Sequence, residues 1–237
     1  MANPFFRFKK FTVYHDQCAM KVGTDGVLTG AWADVAGCQS VLDVGTGSGL
    51  IALMLCQRSS GICVDAIDID KDAVKQAKEN VSSSPFSDRI TVVHSDLNTY
   101  AESCQKKYDL IVSNPPFFVD SLKSPDARRS VARHSDVLPL SEMIRLSASM
   151  LEDNGRICFI YSTGYKEQIC QYAHENELFV ANLTTVYPTP HSEPKRILVK
   201  LTKKQTTTEN YSLTVEKERH VYTDEFGSLV KDFYIKM

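Results

Sequence analysis

The sequence has no long apolar run, and its N-terminus lacks the residue order of a secretory signal. A membrane-spanning helix needs roughly 20 consecutive apolar residues, and no segment of the 237-residue chain approaches that length. Arg7, Lys9 and Lys10 follow the first aromatic residues, whereas the positive charges of a signal peptide precede its apolar core. We therefore expect neither a membrane span nor a secreted protein.

Metal-binding cysteine patterns and an excess of positive charge are also missing. The seven cysteines form no C-x-x-C pair and have no histidines at zinc-ligand spacing, so we expect no metal site. Scattered free thiols are typical of a reducing compartment, which predicts a cytoplasmic protein. Lysine and arginine number 27 against 29 acidic residues, a formal net charge of −2. The composition therefore does not favour a nucleic-acid partner, and only local basic clusters could indicate one.

Short apolar runs alternate with helical patterns from Ser40 onward, which is typical of βαβ units in a parallel sheet. The predicted strands are 40–44, 62–69, 89–93, 108–113 and 156–161, the last after a turn at 153–155, and the predicted helices are 50–58, 70–80, 141–152 and 167–176. Segments 179–187 and 196–201 are predicted to form an antiparallel hairpin at the C-terminal edge of the sheet, and 203–210 a polar turn. We expect an α/β, Rossmann-like fold, with a seven-stranded, mostly parallel sheet and helices on both faces.

A glycine-rich turn follows the first predicted strand and opens a helix. Glycine lets the backbone approach a ligand, and the unpaired N–H groups at a helix N-terminus bind a carboxylate or a phosphate. Asp68 stands nineteen residues beyond Gly49, at the end of the second strand, where an acid can accept both hydroxyls of a ribose. Asp70 competes for that role but is better explained as the cap of the next helix. This order predicts a site for a nucleoside-containing cofactor.

The turn itself, from Asp43 to Gly49, reads D-V-G-T-G-S-G, whereas a dinucleotide-binding turn reads G-x-G-x-x-G. It resembles the first motif of the Rossmann-like methyltransferases, in which the loop surrounds the methionyl end of S-adenosyl-L-methionine. The resemblance implies this cofactor and makes candidate contacts of Asp43, Gly45, Gly47 and Gly49. It also places Asp96 at the family position whose carboxylate accepts from the adenine amino group.

Asn114-Pro115-Pro116-Phe117 ends the fourth strand, on the side of the sheet where ligands of open α/β sheets bind. The tetrapeptide resembles the motif of amino methyltransferases that modify adenine N6, cytosine N4, guanine N2 or a glutamine amide. The Asn114 oxygen and the Pro115 carbonyl can accept the two hydrogens of such a nitrogen, with the prolines fixing the backbone. Pro116 and Phe117 are candidate contacts to the target base, and Asn114 also a contact to the cofactor. Catalysis is then mainly orientation of the reactants.

Two further strings, K-V-G-T-D-G-V-L at 21–28 and Y-T-D-E-F at 222–226, resemble the bacterial tRNA(Val) adenine N6-methyltransferases. The resemblance covers nearly the whole chain. It implies methylation of adenine N6 in a tRNA, at the adenine just 3′ of the anticodon. It also implies one domain over residues 1–237, in which an extension, 1–39, covers the cofactor site. Lys21, Thr24 and Asp25 are then expected near the methionine end of the cofactor.

Arg128, Arg129 and Arg133 follow the reaction motif, at a position beside the expected pocket. Arginines there can hold RNA phosphates, so we expect them to bind the substrate, and a solvated charged loop is the competing interpretation. The expected partner is a tRNA. We predict no membrane partner and no obligate protein partner.

Three other functions stay open at this point. A glutamine methyltransferase acting on a release factor would use the same tetrapeptide, usually ending in tyrosine, and commonly has a separate N-terminal helical domain. An rRNA guanine N2-methyltransferase shares N-P-P-F but tends to have a duplicated domain. A non-catalytic scaffold that binds S-adenosylmethionine is the third, and the joint presence of Asp43, Asp68, Asp96 and Asn114 argues against it.

Overall fold

The computed structural model describes residues 3–116 and 138–236. Four predicted site residues, Phe117, Arg128, Arg129 and Arg133, lie outside these ranges. None of the helices within the ranges has the length and apolar character needed to span a membrane.

The described residues form strands and helices that alternate through most of the chain. The strands are β1 (Phe5–Arg7), β2 (Thr12–Tyr14), β3 (Ser40–Val44), β4 (Cys63–Asp68), β5 (Ile90–His94), β6 (Tyr108–Ser113), β7 (Leu151–Ser162), β8 (Phe179–Tyr187), β9 (Arg196–Thr202), β10 (Glu209–Thr214), β11 (Glu216–Glu218) and β12 (Val221–Tyr222). The helices are α1 (Thr24–Trp32), α2 (Leu50–Arg58), α3 (Lys71–Ser82), α4 (Leu97–Ser103), α5 (Leu140–Met150), α6 (Lys166–Glu175) and α7 (Asp224–Val230).

The main sheet has the strand order β10-β8-β9-β7-β6-β3-β4-β5. Strands β3 to β7 pair in parallel, and β9 runs antiparallel to both of its neighbours, β7 and β8. The predicted α/β fold with a mostly parallel sheet is thereby confirmed. The described sheet has one strand more than predicted, because β10 pairs in parallel with β8 and lies outside the hairpin. Its first four residues are exposed, so this edge strand lacks the apolar signal of a buried one.

The sheet separates two apolar clusters, one on each face. Successive residues of a strand point to opposite faces, so Val41 packs on the side of α1, α2, α3 and α7, while Leu42 packs on the side of α4, α5 and α6. Helices therefore cover both faces, as predicted.

Strand β7 begins earlier than predicted and contains an irregularity in place of the predicted turn. Tyr108 of β6 pairs with Leu151, but Leu110 already pairs with Arg156, so four residues of β7 lie opposite one residue of β6. A Cβ atom at Gly155 would lie 2.8 Å from the Leu151 Cγ and from the Tyr108 carbonyl oxygen. Glycine is required there by the close approach of the two strands.

Both ends of the described chain pack into the cluster that contains α1 and α2. Phe8 forms an isolated bridge with Tyr234, and the Lys9 N–H donates to the Phe233 carbonyl at 2.8 Å. The Phe8 ring lies 4.8 Å from that of Phe11 and 6.2 Å from that of Tyr234, centroid to centroid. These contacts attach β1 and β2 to the C-terminal segment.

Candidate active site

A cavity of about 480 Å³ opens where the carboxyl ends of β3, β4, β5 and β6 meet at one edge of the sheet. Its lining comes from the four segments that follow these strands, from the loop before α1 and from the segment before α5: Val44, Gly45, Gly47, Ile67, Asp68, Ile69, Asp70, Ala73, Ser95, Asp96, Leu97, Asn98, Ser113, Asn114, Pro115, Pro116, Cys18, Ala19, Met20, Leu138 and Pro139. The cavity therefore brings together the glycine turn, the acid that was predicted to bind a ribose and the N-P-P motif.

The glycines of the turn adopt a backbone conformation that other residues rarely reach. Gly45, Gly47 and Gly49 have φ angles of 69°, 55° and 82°. A Cβ atom at Gly45 or Gly47 would meet nothing within 4 Å, so the left-handed backbone, not lack of space, requires glycine there. Gly45 and Gly47 line the cavity, whereas Gly49 caps α2 and lies against Ala77.

Asp43 lies behind the glycine turn and does not line the cavity. Its Oδ2 accepts from the Thr46 hydroxyl at 2.7 Å and from the Ala52 N–H at 3.2 Å. Its Oδ1 is buried and has no hydrogen-bond partner among the described residues. Burial raises the pKa of the Asp43 carboxyl to about 7, against an ordinary value of 3.8. Asp43 thus joins the turn to the first turn of α2.

Asp68 lines the cavity with its carboxylate held by backbone donors. Oδ2 accepts from the Gly47 N–H at 2.7 Å and Oδ1 from the Asp70 N–H at 2.9 Å. Burial raises the pKa of this carboxyl. Each oxygen retains a further lone pair that could accept from a ribose hydroxyl. Asp70 caps α3, as predicted, by accepting from the backbone N–H groups of Asp72 and Ala73.

Asp96 also lines the cavity, but it has a structural role that the sequence reasoning missed. It caps α4, accepting from the Thr99 N–H at 3.0 Å and from the Thr99 hydroxyl at 2.6 Å. The hydroxyl bond and the N–H bond lower the pKa of the Asp96 carboxyl. This cap could have been predicted from the sequence. Asp is a preferred residue at the N-cap of a helix, and Thr99, whose N–H it accepts from, follows three residues later.

Asn114 lies at the end of β6 and lines the cavity together with Pro115 and Pro116. Its side-chain Oδ1 is buried and has no hydrogen-bond partner within residues 3–116 and 138–236. Ser113 fixes the preceding position, because its hydroxyl donates to the Val44 carbonyl at 2.8 Å. A buried amide oxygen without a partner is costly unless a ligand satisfies it.

The residues expected near the methionine end of the cofactor lie outside the cavity lining. Lys21 and Thr24 are exposed, and Asp25 Oδ2 accepts from Arg196 Nε at 2.8 Å. The preceding residues, Cys18 to Met20, line the cavity instead. The resemblance to known enzymes indicated this region of the chain. No chemical property of the Cys18, Ala19 and Met20 side chains, however, marked them in the sequence as lining residues.

Asn80 is a second residue that sequence reasoning missed. It is almost fully buried in α3. Its Oδ1 accepts from the Tyr14 N–H at 2.9 Å, and its Nδ2 donates to the carbonyls of Tyr14 and Ser48, both at 2.8 Å. One side chain therefore connects the segment before Cys18 with the glycine turn, although these segments are far apart in sequence.

The described residues hold no side-chain cluster of the kind that binds metal ions in proteins. All seven cysteines are free, and no group of three or more histidine, cysteine or acidic side chains within it could hold a metal ion.

The fold and the cavity define a Rossmann-like methyltransferase whose methyl donor is S-adenosyl-L-methionine. The model of the methyltransferase small domain family matches residues 31–171, and the chain belongs to this family. A relative from Parabacteroides distasonis is 52% identical over all of both chains, and one from Trichodesmium erythraeum is 46% identical over 98% of each. Both are named tRNA1(Val) (adenine(37)-N6)-methyltransferase.

Solved structures show the same fold at low sequence identity. A predicted O-methyltransferase from Agrobacterium tumefaciens superposes with a TM-score of 0.67 and 17% identity, covering 88% of this chain and 96% of the other. This likeness shows the fold alone.

Proposed function

We propose that this chain transfers the methyl group of S-adenosyl-L-methionine to N6 of adenine 37, next to the anticodon of a tRNA1(Val). Full-length relatives at 52% and 46% identity, whose names state this reaction, support the substrate. The observation that supports the reaction best is Asn114, which lines the same cavity as Asp68 and whose buried side-chain oxygen has no hydrogen-bond partner among the described residues. The lining of one cavity thus includes both an amide that can accept an amino hydrogen and an acid suited to a ribose.

The cofactor binds, in this proposal, along the carboxyl ends of β3, β4 and β5. Gly45 and Gly47 receive the methionyl end, since both line the cavity and have no side chain to occupy it, and Asp43 and Gly49 support the turn from behind. Asp68 accepts from the ribose hydroxyls and Asp96 from the adenine amino group. Lys21 and Thr24 remain predicted contacts from the resemblance alone. When bound, S-adenosylmethionine supplies an electrophilic methyl group.

The target nitrogen is a poor nucleophile because its lone pair is conjugated with the ring. Asn114 Oδ1 and the Pro115 carbonyl accept its two hydrogens, which favours a tetrahedral nitrogen with its lone pair directed at the methyl group. Pro116 and Phe117 contact the base. A catalytic base is not needed, because the methylated cation is acidic and loses its proton to water. Orientation of the reactants supplies most of the rate enhancement.

The remaining parts of the proposal concern the surroundings of the reaction. Residues 1–237 form one domain, in which 1–39 cover the cofactor site. Cys18 to Met20 in the cavity lining and the Asn80 hydrogen bonds support this arrangement. We propose from sequence position that Arg128, Arg129 and Arg133 hold tRNA phosphates, and that the enzyme works in the cytoplasm, where its substrate is.

The test combines labelled S-adenosylmethionine with a tRNA1(Val) transcript, followed by mass spectrometry of the nucleosides. We expect N6-methyladenosine from the normal transcript and none from one with guanine at position 37. Asn114→Ala should lower turnover about 100-fold or more and leave S-adenosylhomocysteine affinity nearly unchanged, because the lost interaction strengthens only in the transition state.

Asn176→Ala is the matched control. Asn176 donates to the Tyr172 carbonyl at the end of α6, outside the cavity lining, so turnover should stay normal. Label found in polypeptide and not in RNA would contradict the proposed function, and normal turnover of Asn114→Ala would contradict the mechanism.

A further inference from the structure

The first turn of α1 lies close to the Asn114 side chain. Gly26 is buried there, and a Cβ atom added to it would lie 3.7 Å from Asn114 Nδ2 and 3.0 Å from Leu50 Cδ2. The first turn of α1 therefore lies near the nitrogen side of the amide, at about the distance that one added side-chain carbon would fill. Since Asn114 Oδ1 has no partner among the described residues, no hydrogen bond to that oxygen sets the orientation of the amide there.

An ion pair attaches the start of α1 to the main sheet. Asp25 Oδ2 lies 2.8 Å from Arg196 Nε, and about 30% of each side chain is exposed (31% for Arg196 and 29% for Asp25). Arg196 begins β9 and pairs with Ser162 at the end of β7, so it lies at the same edge of the sheet as Asn114. Gly23 precedes the helix and has no side chain to cap it. The ion pair therefore supplies a side-chain contact at a helix start that no described side chain caps.

We propose that Asp25 and Arg196 are positioning residues for the methyl transfer. Their ion pair fixes the first turn of α1, and this turn holds the Asn114 amide in the orientation that accepts an amino hydrogen. The proposal rests on the proposed function and gives Asp25 a role other than the cofactor contact expected from the resemblance. Neither Asp25 nor Arg196 lines the cavity.

This role predicts an effect on turnover that is separate from cofactor binding. The cavity-lining groups proposed to hold the cofactor belong to the glycine turn and to the ends of β4 and β5, which the ion pair does not touch. A displacement of about 1 Å at a reacting group can cost about 100-fold in rate. Loss of the ion pair should cause a smaller displacement, because the rest of α1 still packs against α2.

The experiment measures turnover at saturating tRNA1(Val) transcript and the dissociation constant of S-adenosylhomocysteine by calorimetry. Asp25→Asn and Arg196→Gln should each lower turnover about tenfold and change the dissociation constant by less than about twofold. The double variant should be no slower than either single variant, because all three lose the same ion pair. Arg196→Lys, which keeps the charge, should recover part of the turnover.

Asp224→Asn is the matched control. Asp224 is the first residue of α7 and forms an ion pair with Lys217 at 3.0 Å, which is more exposed than the Asp25–Arg196 pair and lies away from the cavity lining. Both measured quantities should match those of the unmodified chain.

Four outcomes would overturn the proposal. Cofactor affinity that falls in parallel with turnover in Asp25→Asn would make Asp25 a cofactor contact. Additive effects in the double variant, or unchanged turnover in the single variants, would show that the pair does not position Asn114. If the unmodified chain transfers no label to the transcript while still binding S-adenosylhomocysteine, the proposed function fails and the positioning role falls with it.

Discussion

Single residues of the same chemical type have different roles around the cavity. Asp68 presents a carboxylate to the cavity, Asp70 caps α3, Asp96 caps α4 while lining the cavity, and Asp43 is buried behind the glycine turn. The pKa of Asp43 is raised because burial disfavours its charged form more than its two hydrogen bonds favour it. Its ionisation therefore affects the stability of the fold.

The raised pKa of the Asp43 carboxyl predicts how the stability of the folded chain depends on pH. A carboxyl group with a raised pKa binds its proton more tightly in the folded chain, so its stabilising contribution is complete at low pH and is lost as the pH rises. For Asp43 the loss extends from its ordinary pKa, 3.8, to its folded pKa of about 7. Asp43→Asn keeps an oxygen that can accept from Thr46 and Ala52 but cannot ionise.

We therefore expect the free energy of unfolding of Asp43→Asn, relative to the unmodified chain, to rise between about pH 5 and pH 7 by at most about 1.4 kcal/mol per pH unit, and to stay level at higher pH. Urea unfolding at several pH values measures this difference. A difference that does not change with pH would show that Asp43 is already ionised in the folded chain at pH 5.

At the scale of one element, β7 contains a glycine, Gly155, that its close approach to the neighbouring strand β6 requires. Gly155 lies where four residues of β7 oppose one residue of β6. Any side chain at this position meets Leu151 and the Tyr108 carbonyl, both at 2.8 Å from the Cβ position. The backbone oxygen cannot move aside without disturbing the pairing of β6 and β7.

Gly155→Ala should therefore lower the free energy of unfolding by about 1–3 kcal/mol, the usual cost of overpacking. Gly61→Ala is its control, because a Cβ atom there meets nothing within 4 Å, and the change should stay within about 0.5 kcal/mol. Urea unfolding of the two variants compares them directly. Equal stabilities would mean that β7 adjusts without strain.

At the scale of the whole molecule, the two ends of the described chain belong to one apolar cluster. Phe8, Phe226, Phe233 and Tyr234 pack in the same cluster as Leu53 of α2, which directly follows the glycine turn. The ends therefore stabilise the face of the sheet on which α2 lies. This packing is the reason to expect that the chain unfolds as one unit.

Phe8→Ala should lower the free energy of unfolding by about 3–5 kcal/mol, because Phe8 is almost fully buried. Fluorescence and circular dichroism should follow one common transition, as a single cooperative domain requires. Phe179→Ala, at a position 37% exposed, should have a smaller effect. Two separate transitions would contradict the single-domain proposal.

Several elements could be predicted to the residue from the sequence. Strands β3, β6 and β8 have the predicted bounds, and Asp70 caps α3 as predicted. These features depend on neighbours in sequence, because apolar runs, proline stops and helix caps act over a few residues. The glycine turn and the N-P-P motif belong to the same group, so the elements that form the cavity were also predictable.

The tertiary structure alone decided which distant residues meet. Strand β10, and not the predicted hairpin of β8 and β9, forms the edge of the sheet. Asn80 joins Tyr14 to Ser48, and Asp25 pairs with Arg196 across 171 positions of sequence. No periodicity marks such contacts, because they follow from how helices and loops pack on the two faces of the sheet. The sequence by itself determined the fold class and was sufficient to predict the candidate reacting groups, since each depends on a short run of residues. The orientation of those groups depends on packing between segments far apart in the chain, and only the folded molecule sets it.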